Sequence, residues 1–501
     1  MTETVRRVLI VGRDAQAWLI ALALQRAFGA SGLIVEVVEL PSLVAASDVL
    51  AALPSLQSFH KIIDLDEGAV VTAARAVPMA GQRFSDWGVA PFIQAYDSAA
   101  APGAALQFAQ LWVKAHQKGM PVPFEEFSFG AMAARLSRVP SESDDPAGLG
   151  ATFGYNLEAS AYALLLKAFA VRRGVNLLAG TLSDIKVEDG RIAAVTLSSG
   201  QQVAADLFID ASGSEGTLIR QLPGDGFESW SDLLPCDRLL SASTSRLENL
   251  PAFSEIRANK AGWTGLYPLQ DRTAILAVFK SDFASPQDVL ASLSSVTPGP
   301  IQGDPVLSEL KPGVRNAPWI GNCVSVGDAA AVLDPLDALH LHMAHVCVSN
   351  LINFWPVSPA MGSEAKEYNR NVRLHAANLR DFESAHYKLN KREGEPFWDA
   401  ARDRAVSPGL EQKLLMFRKR GLNVLFDEET FDEHSWTSMF LGHGLMPESY
   451  DPRVDLLAEQ DHIETIQARL RQIGALVPTL PTVDSFVSAT SIPVKAPATA
   501  S

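Results

Sequence analysis

Cysteine is scarce in this chain. Cys236, Cys323 and Cys347 are the only three among 501 residues, and none lies in a C-x-x-C pair. That argues against a disulfide framework and against a cysteine-based structural zinc site. Long apolar runs are also missing: 47% of the residues are hydrophobic, yet no uncharged run reaches membrane-spanning length. Met1 to Arg7 is polar and charged, and no apolar secretion signal with a cleavage site follows it. These absences lead to the expectation of a cytoplasmic protein with no membrane partner. Positive charge is short as well. The formal net charge is −15, whereas binding nucleic-acid phosphates calls for a basic surface, so no nucleic-acid partner is expected.

Glycine is missing where a dinucleotide turn would need it. The stretch VLIVGRDAQAWLIALAL, Val8 to Leu24, reads as a buried parallel strand, a turn and a helix. A G-x-G-x-x-G turn uses its first glycine for the tight turn. The second lets the backbone approach a pyrophosphate, and the third lets helix and strand pack closely. Here the series is Gly12, Asp14, Ala17. Ala17 adds one methyl group, but Asp14 adds a charge of the same sign as a phosphate, beside Arg13. The turn alone leaves two readings open: a nucleotide site, or an ordinary βα turn with Asp14 as helix cap. The next strand, Leu33 to Val38, ends in Glu39, 27 positions after Gly12. An acid somewhat nearer than this binds ribose hydroxyls in such folds.

The length suits one large or two medium domains. After the first βαβ unit, helices are expected at Leu56 to Ile63 and Ala105 to Lys118, and a helical pattern runs through ALLLKAFAVRRGV from Ala163. Short alternating strands follow, with turn signals at Asp189-Gly190 and Ser199-Gly200, up to the apolar strand Leu207 to Ile209. A mixed β region spans Leu239 to Phe279, and Ser363 to Gln472 is mostly helical and charged. The tail from Ser485 is too poor in large apolar groups to order itself.

Two further strand ends carry acids. DLFIDASGSEG, Asp206 to Gly216, is an apolar strand followed by D-x-S-G at Asp210. NCVSVGDAAAVLDPL, Asn322 to Leu336, is a strand followed by Gly327-Asp328, with Pro335 before a helix. FSDWG, GYNLEASAYALLLKAFAVRRGV, YNRNVRLHAANLRDFESAHYKLNKREGEPFWDAAR and SWTSMFLGHGLMPESY complete the set. Together these stretches resemble the flavin-dependent tryptophan halogenase family, over nearly the whole chain to about Leu457.

That resemblance implies an α/β fold. It has a flavin-monooxygenase-like, Rossmann-type FAD-binding domain with a mixed β-sheet region (residues 1–360), a helical C-terminal part packed on it (361–484) and a disordered tail (485–501). It places FAD against Gly12, Asp14, Ala15, Ala17, Glu39, Asp210, Gly327, Asp328 and Pro335. The implied partners are a flavin reductase that supplies reduced FAD, a small aromatic substrate and a second copy of the chain in a homodimer. In such enzymes the flavin and oxygen turn halide into hypohalous acid. The acid travels down a tunnel to a lysine, which passes the halogen to an aromatic carbon with help from a glutamate. A W-x-W-x-I-P motif separates the flavin from the substrate.

The chain departs from the family at the reactive positions. In Pro78-Met79-Ala80-Gly81-Gln82-Arg83-Phe84 the lysine position is Met79, whose thioether has no ammonium proton and no amine to carry halogen. In Asp334-Pro335-Leu336-Asp337-Ala338-Leu339 the glutamate position is Asp337, one methylene shorter, and the neighbouring hydroxyl residues are Ala338 and Leu339. W-x-W-x-I-P becomes Trp263-Thr264-Gly265-Leu266-Tyr267-Pro268, keeping Trp263 and Pro268. A G-E-A-T segment is not visible in LPSLVAASDVLAALPS. His340, His342 and His345 fall at i, i+2, i+5, which spreads them around a helix and favours packing or an altered pocket over a metal site. Trp398 and Trp436 read as core or pocket walls. Three functions stay open: a flavoprotein with altered chemistry, a non-catalytic binding or partner subunit, and a halogenase whose relay uses another residue.

Overall fold

The apolar strand Arg7–Gly12 lies in the middle of a six-stranded sheet, and Val8, Leu9, Ile10 and Val11 have no exposed surface. The computed structural model describes residues 5–97, 104–140, 148–150, 152–358 and 360–491. The strand pairs in parallel with Ile34–Glu39 on one side and Leu207–Ala211 on the other, and Cys323–Ser325 extends the sheet in parallel beyond the latter. Register puts Gly12 opposite both Glu39 and Ala211, and Asp210 opposite Ser325. The carboxyl ends of four strands therefore open on one edge, where α/β sheets bind ligands.

Close packing of the first helix holds that edge together. Asp14–Phe28 buries every residue from Ala15 to Leu24 against the sheet and against the helices Ala159–Arg172 and His340–Asn353. A Cβ at Gly12 would lie 2.6 Å from the Ala211 Cβ and 2.9 Å from the Ala17 Cβ. The first glycine of the series is thus required for space. The left-handed conformation falls on Asp14, at φ 56°.

Four further sheets are formed among the described residues, and two of them frame the site. A seven-stranded sheet runs Gln302–Glu309, Arg238–Ser245, Arg272–Phe279, Gly262–Pro268, Phe253–Asn259, Gly81–Ser85, Phe92–Ala95. A three-stranded one joins Val49–Ala52, Gly154–Glu158 and Val77–Met79. The hairpin at Asp189-Gly190 has positive φ at both turn residues, as a two-residue turn matched to strand twist requires.

The 28-residue helix Gly362–Leu389 leads the C-terminal part. Tyr368, Val372, Ala376, Leu379 and Tyr387 join the same core as the first helix, while Phe382 and Ala385 pack with Trp436 and Phe440. Trp398 and Trp436 are fully buried core residues. The tail expectation needs correction. Val483–Thr490 is a helix capped by Thr482, and Phe486 meets Phe153 edge-on with ring centroids 5.5 Å apart. Phe486 and Val487 suffice here because both pack against the main core. Residues 492–501 lie outside the described residues.

Gly12→Ala should destabilise the protein by about 1–3 kcal/mol, the usual range for forcing a methyl group into a packed interior. Urea unfolding of the flavin-free protein measures it; an unchanged midpoint would show that helix and strand can separate to admit the methyl.

Candidate functional site

The sheet edge forms a cleft whose side chains are already engaged with one another. Asp14 does not cap the helix; Arg13 holds that position and makes no side-chain cap. The Asp14 carboxylate turns to the facing loop and accepts hydrogen bonds from the Ser42 hydroxyl (2.5 Å) and the Leu43 N–H (3.3 Å). Gln16 reaches across the cleft. Its Nε2 lies 3.3 Å from Asp328 Oδ1, and its Oε1 accepts from the Asp328 N–H at 3.3 Å. His340 Nδ1 stands 3.1 Å from Asp328 Oδ2. Burial opposes charge on His340, but the nearby Asp328, with Asp14 and Asp48, prevails and raises its pKa. Gly327 has φ 57°, and a Cβ there would meet Gln16 at 2.4 Å.

Glu39 sits at its strand end as the sequence places it. It accepts from Trp18 Nε1 at 3.2 Å and pairs with Lys167 at 2.5 Å. Asp210 behaves otherwise. Fully buried, it accepts from Ser212 N–H and Oγ and from the Leu218 and Ile219 N–H groups, at 2.6–3.1 Å. It holds the D-x-S-G loop, so its carboxylate is taken up by backbone. Ala15 and Ala17 are buried in the helix–sheet contact.

Behind the cleft lies the stretch that departs from W-x-W-x-I-P. Trp263 is fully buried and donates to the Tyr387 hydroxyl at 3.0 Å. Gly265 leaves a gap that Tyr267 fills: a Cβ at Gly265 would lie 2.4 Å from the Tyr267 ring. The Tyr267 hydroxyl approaches the Pro335 carbonyl at 3.5 Å. Pro268 accepts from Asn156 at 3.3 Å. An aromatic wall is therefore present, rebuilt with a ring from two residues further along the strand.

A cavity of about 410 Å³ lies beyond it, with Gln82, Gln94, Tyr96, Asp97, Asp337 and His342 in its lining. Asp337 is 2% exposed; Oδ1 lies 3.4 Å from His386 Nε2, and Oδ2 has no hydrogen-bond partner. His386 Nδ1 is 2.8 Å from His443 Nε2. Burial and the adjacent His386 push the His443 pKa well below its usual value, so that imidazole is neutral. Met79 is not among the lining residues. It pairs with Gly154 in its strand and is 1% exposed within the main apolar core.

Three buried carboxyls meet here: Asp337, Asp334 and Glu383. Asp334 accepts from the Tyr387 hydroxyl at 2.7 Å, and its N–H donates to Glu383 at 3.1 Å. Burial raises the Asp334 pKa to about 7, against the Tyr387 hydrogen bond and with help from Asp337. Glu383 is raised well above the usual range by burial and by both aspartates. Glu383, His386 and Tyr387 were not singled out from sequence. The available signal was polar residues three and four apart on one face of a long helix. Of the three histidines, His340 lies at the cleft and His342 at the cavity, while His345 is buried against Phe59. Among the described residues no group of three His, Cys, Asp or Glu side chains could hold a metal ion, and no helix is long and apolar enough to cross a membrane.

A Rossmann-type sheet edge, an aromatic wall strand and a cavity lined by Asp337 define a two-site α/β protein of flavin-monooxygenase architecture. The chain belongs to the tryptophan halogenase family, whose model matches residues 7–459. It is 25% identical to tryptophan 6-halogenase SttH of Streptomyces toxytricini, over 97% of this chain and 99% of that protein. Among solved structures it is similar to BrvH, a flavin-dependent halogenase from Brevundimonas sp. BAL3 (TM-score 0.91, 28% identity, 97% and 99% of the two chains). It is likewise similar to Xcc4156, a flavin-dependent halogenase from Xanthomonas campestris (TM-score 0.92, 28% identity, 99% and 100%). The family uses reduced FAD supplied by a separate flavin reductase.

Gln16→Ala removes the side chain that crosses the cleft. FAD affinity, read by flavin fluorescence quenching, should tighten by roughly 3–10-fold, the worth of about one net hydrogen bond; unchanged affinity would place Gln16 outside the flavin's path. Asp334 gives a pH dependence. An acid whose pKa is raised on folding holds its proton longer in the folded state, so its contribution to stability falls as pH climbs between the unfolded and folded values. In urea titrations at about pH 5 and about pH 8, Asp334→Asn should therefore gain on the parent protein as pH rises; a constant difference would mean that Asp334 does not titrate in this window.

Proposed function

We propose that this protein binds reduced FAD at the sheet edge and a small aromatic, indole-like molecule in the Asp337 cavity, and that it carries out no lysine-dependent halogen transfer. The burial of Met79 in the core carries this reading. Gly12, Ala15, Ala17, Glu39, Gly327 and Asp328 are the residues that would hold the cofactor, which supplies electrons for activating oxygen. They fit it in frame: the strand ends are level, the helix approaches closely at Gly12 and Ala17, and position 14 keeps the left-handed conformation of a turn glycine. Gln16 must swing aside to clear the path.

Each chain residue then has a role that its surroundings support. Trp263 and Tyr267 support the turn that carries Asp337, through the Tyr387 hydroxyl and the Pro335 carbonyl. Asp337 lines the cavity with a buried oxygen, Oδ2, that has neither a hydrogen bond nor an ion pair and is placed to accept a proton from an N–H or C–H acid, with the His386–His443 pair packing behind it. Asp334 and Glu383 support the Asp337 turn from below.

A second reading, a catalytically degenerate homologue serving as a binding or partner subunit, is favoured by the Gln16–Asp328–His340 bridge. The visible spectrum after incubation with FAD and desalting separates the two. Retained flavin bands support the first reading; clean loss, with no thermal shift on adding FADH₂, supports the second.

Met79→Lys tests the missing relay. With FAD, a flavin reductase, NADH and bromide, the variant should give no brominated indole. Its new ammonium would be buried in apolar surroundings that drive the pKa down, and misplacement by about 1 Å can cost ~100-fold in rate. Brominated product would show that the pocket is still arranged for halogen transfer.

A further inference from the structure

The charge lining the cavity is one-sided. Four of its residues are acids, Asp97, Asp337, Glu429 and Asp432, and none is lysine or arginine. Three of the four are already engaged. Asp97 accepts from Ser128 Oγ (2.8 Å) and the Gly130 N–H (3.1 Å) and faces His434 at 3.3 Å. Glu429 pairs with Lys413, and Asp432 accepts from the Ser435 N–H and hydroxyl at 2.8 and 2.9 Å. Asp337, 2% exposed, differs in one oxygen: Oδ1 lies 3.4 Å from His386 Nε2, but Oδ2 has neither a hydrogen bond nor an ion pair, whereas the Asp97 oxygen without a hydrogen bond faces His434.

The two lining histidines supply no compensating charge. Burial lowers the pKa of His342 to about 4, and burial also lowers His375, against the pull of Glu428. The remaining lining mixes apolar and aromatic side chains, among them Leu53, Tyr96, Val346 and Phe431, with uncharged polar ones such as Gln82 and Thr430. A ligand carboxylate entering this space would meet acids and no cation. A ligand ammonium would find the unpartnered Oδ2 of a buried carboxylate, where a charge pair discriminates strongly.

The geometry points to a protonated aromatic amine without a carboxylate, an arylethylamine of the tryptamine type, as the ligand of the Asp337 cavity, its ammonium paired with Asp337. This rests on the reading of the cavity as an aromatic site and adds the charge of what it takes.

Equilibrium binding of four probes at one pH tests it: indole, tryptamine, tryptophan and indole-3-propionate. Tryptamine should bind more tightly than indole, and indole-3-propionate more weakly, with the two charged probes separated by roughly 10- to 100-fold. Asp337→Asn should bring tryptamine and indole-3-propionate to within about threefold of each other, with folding read separately by circular dichroism and urea unfolding. Asp337→Glu should keep the order. If the Asn variant does not fold, the parent protein's four affinities and the Glu variant decide. The inference is overturned if tryptophan or indole-3-propionate binds as well as tryptamine, or if Asp337→Asn keeps the preference. Indole binding with no amine preference removes this inference alone. No binding of any probe by folded protein removes the aromatic-cavity reading with it.

Discussion

The Tyr387 hydroxyl accepts from Trp263 at 3.0 Å and donates to Asp334 at 2.7 Å, and three parts of the molecule meet through it. Trp263 belongs to the wall strand, Asp334 opens the turn that carries Asp337, and Tyr387 lies on the long C-terminal helix. A buried hydroxyl between a donor that can only donate and a carboxyl that accepts has its proton direction fixed. The wall, the acid turn and the helix therefore cannot shift independently without leaving a buried polar group unpaired, at about 1–3 kcal/mol each. Asp337 owes its position to this tie, since it follows Asp334 by three residues on the same turn. The tie also explains how three carboxyls share one dry patch: Asp334 and Glu383 hold protons at pH values where exposed acids have lost theirs, so the patch does not carry three full charges.

The cleft shows a similar economy of means. A turn that needs one residue in the left-handed region ordinarily places glycine there, but aspartate is among the few other residues that adopt it readily. Asp14 does so, and its charge is steered away from the sheet edge by Ser42 and Leu43. The substitution that looks most hostile to a phosphate is thereby made tolerable. Gln16, which carries no charge and attracts no notice in the sequence, stands more directly in the way.

How much was legible in the sequence follows from the range of each interaction. Strand, turn and helix at Val8 to Leu24 could be read because periodicity and turn chemistry are local. So could Glu39 and Gly327-Asp328 at strand ends; of the two positions the resemblance named for the relay, Asp337 lines the cavity and Met79 does not. Contacts between distant segments could not be read. The Asp14–Ser42 bond spans 28 positions, Gln16–Asp328 spans 312, and His386–His443 spans 57. Asp210 looked outward in sequence and proves to serve its own loop, because a strand-end acid with free N–H groups eight and nine residues on meets them first. The wall looked broken at Gly265 because a motif compares residues position by position, whereas a ring can fill a gap from two places away on the same face of a strand. The tail helix was missed because composition describes what a segment can bury alone, not what the main core offers it.

Backbone strain and unpartnered carboxyl oxygens coincide at the Asp337 turn. Ala338 has φ 61°, a conformation that a side chain reaches at a cost of about 1–3 kcal/mol. Beside it, Asp337 keeps a buried oxygen without a partner, and Glu383 and Asp334 each keep one as well. A protein of ordinary stability tolerates few such groups, and a lone buried carboxylate oxygen in a dry interior is among the most expensive. Packing alone gives no reason for them: an asparagine or leucine at 337 would relieve the charge without disturbing the Tyr387 tie. Loss of the lysine position leaves these costs untouched, because Met79 lies in the core and not in the cavity lining. The cavity thus carries this cost independently of halogen relay, and the proposed ammonium ligand, by pairing with Asp337, would offset it.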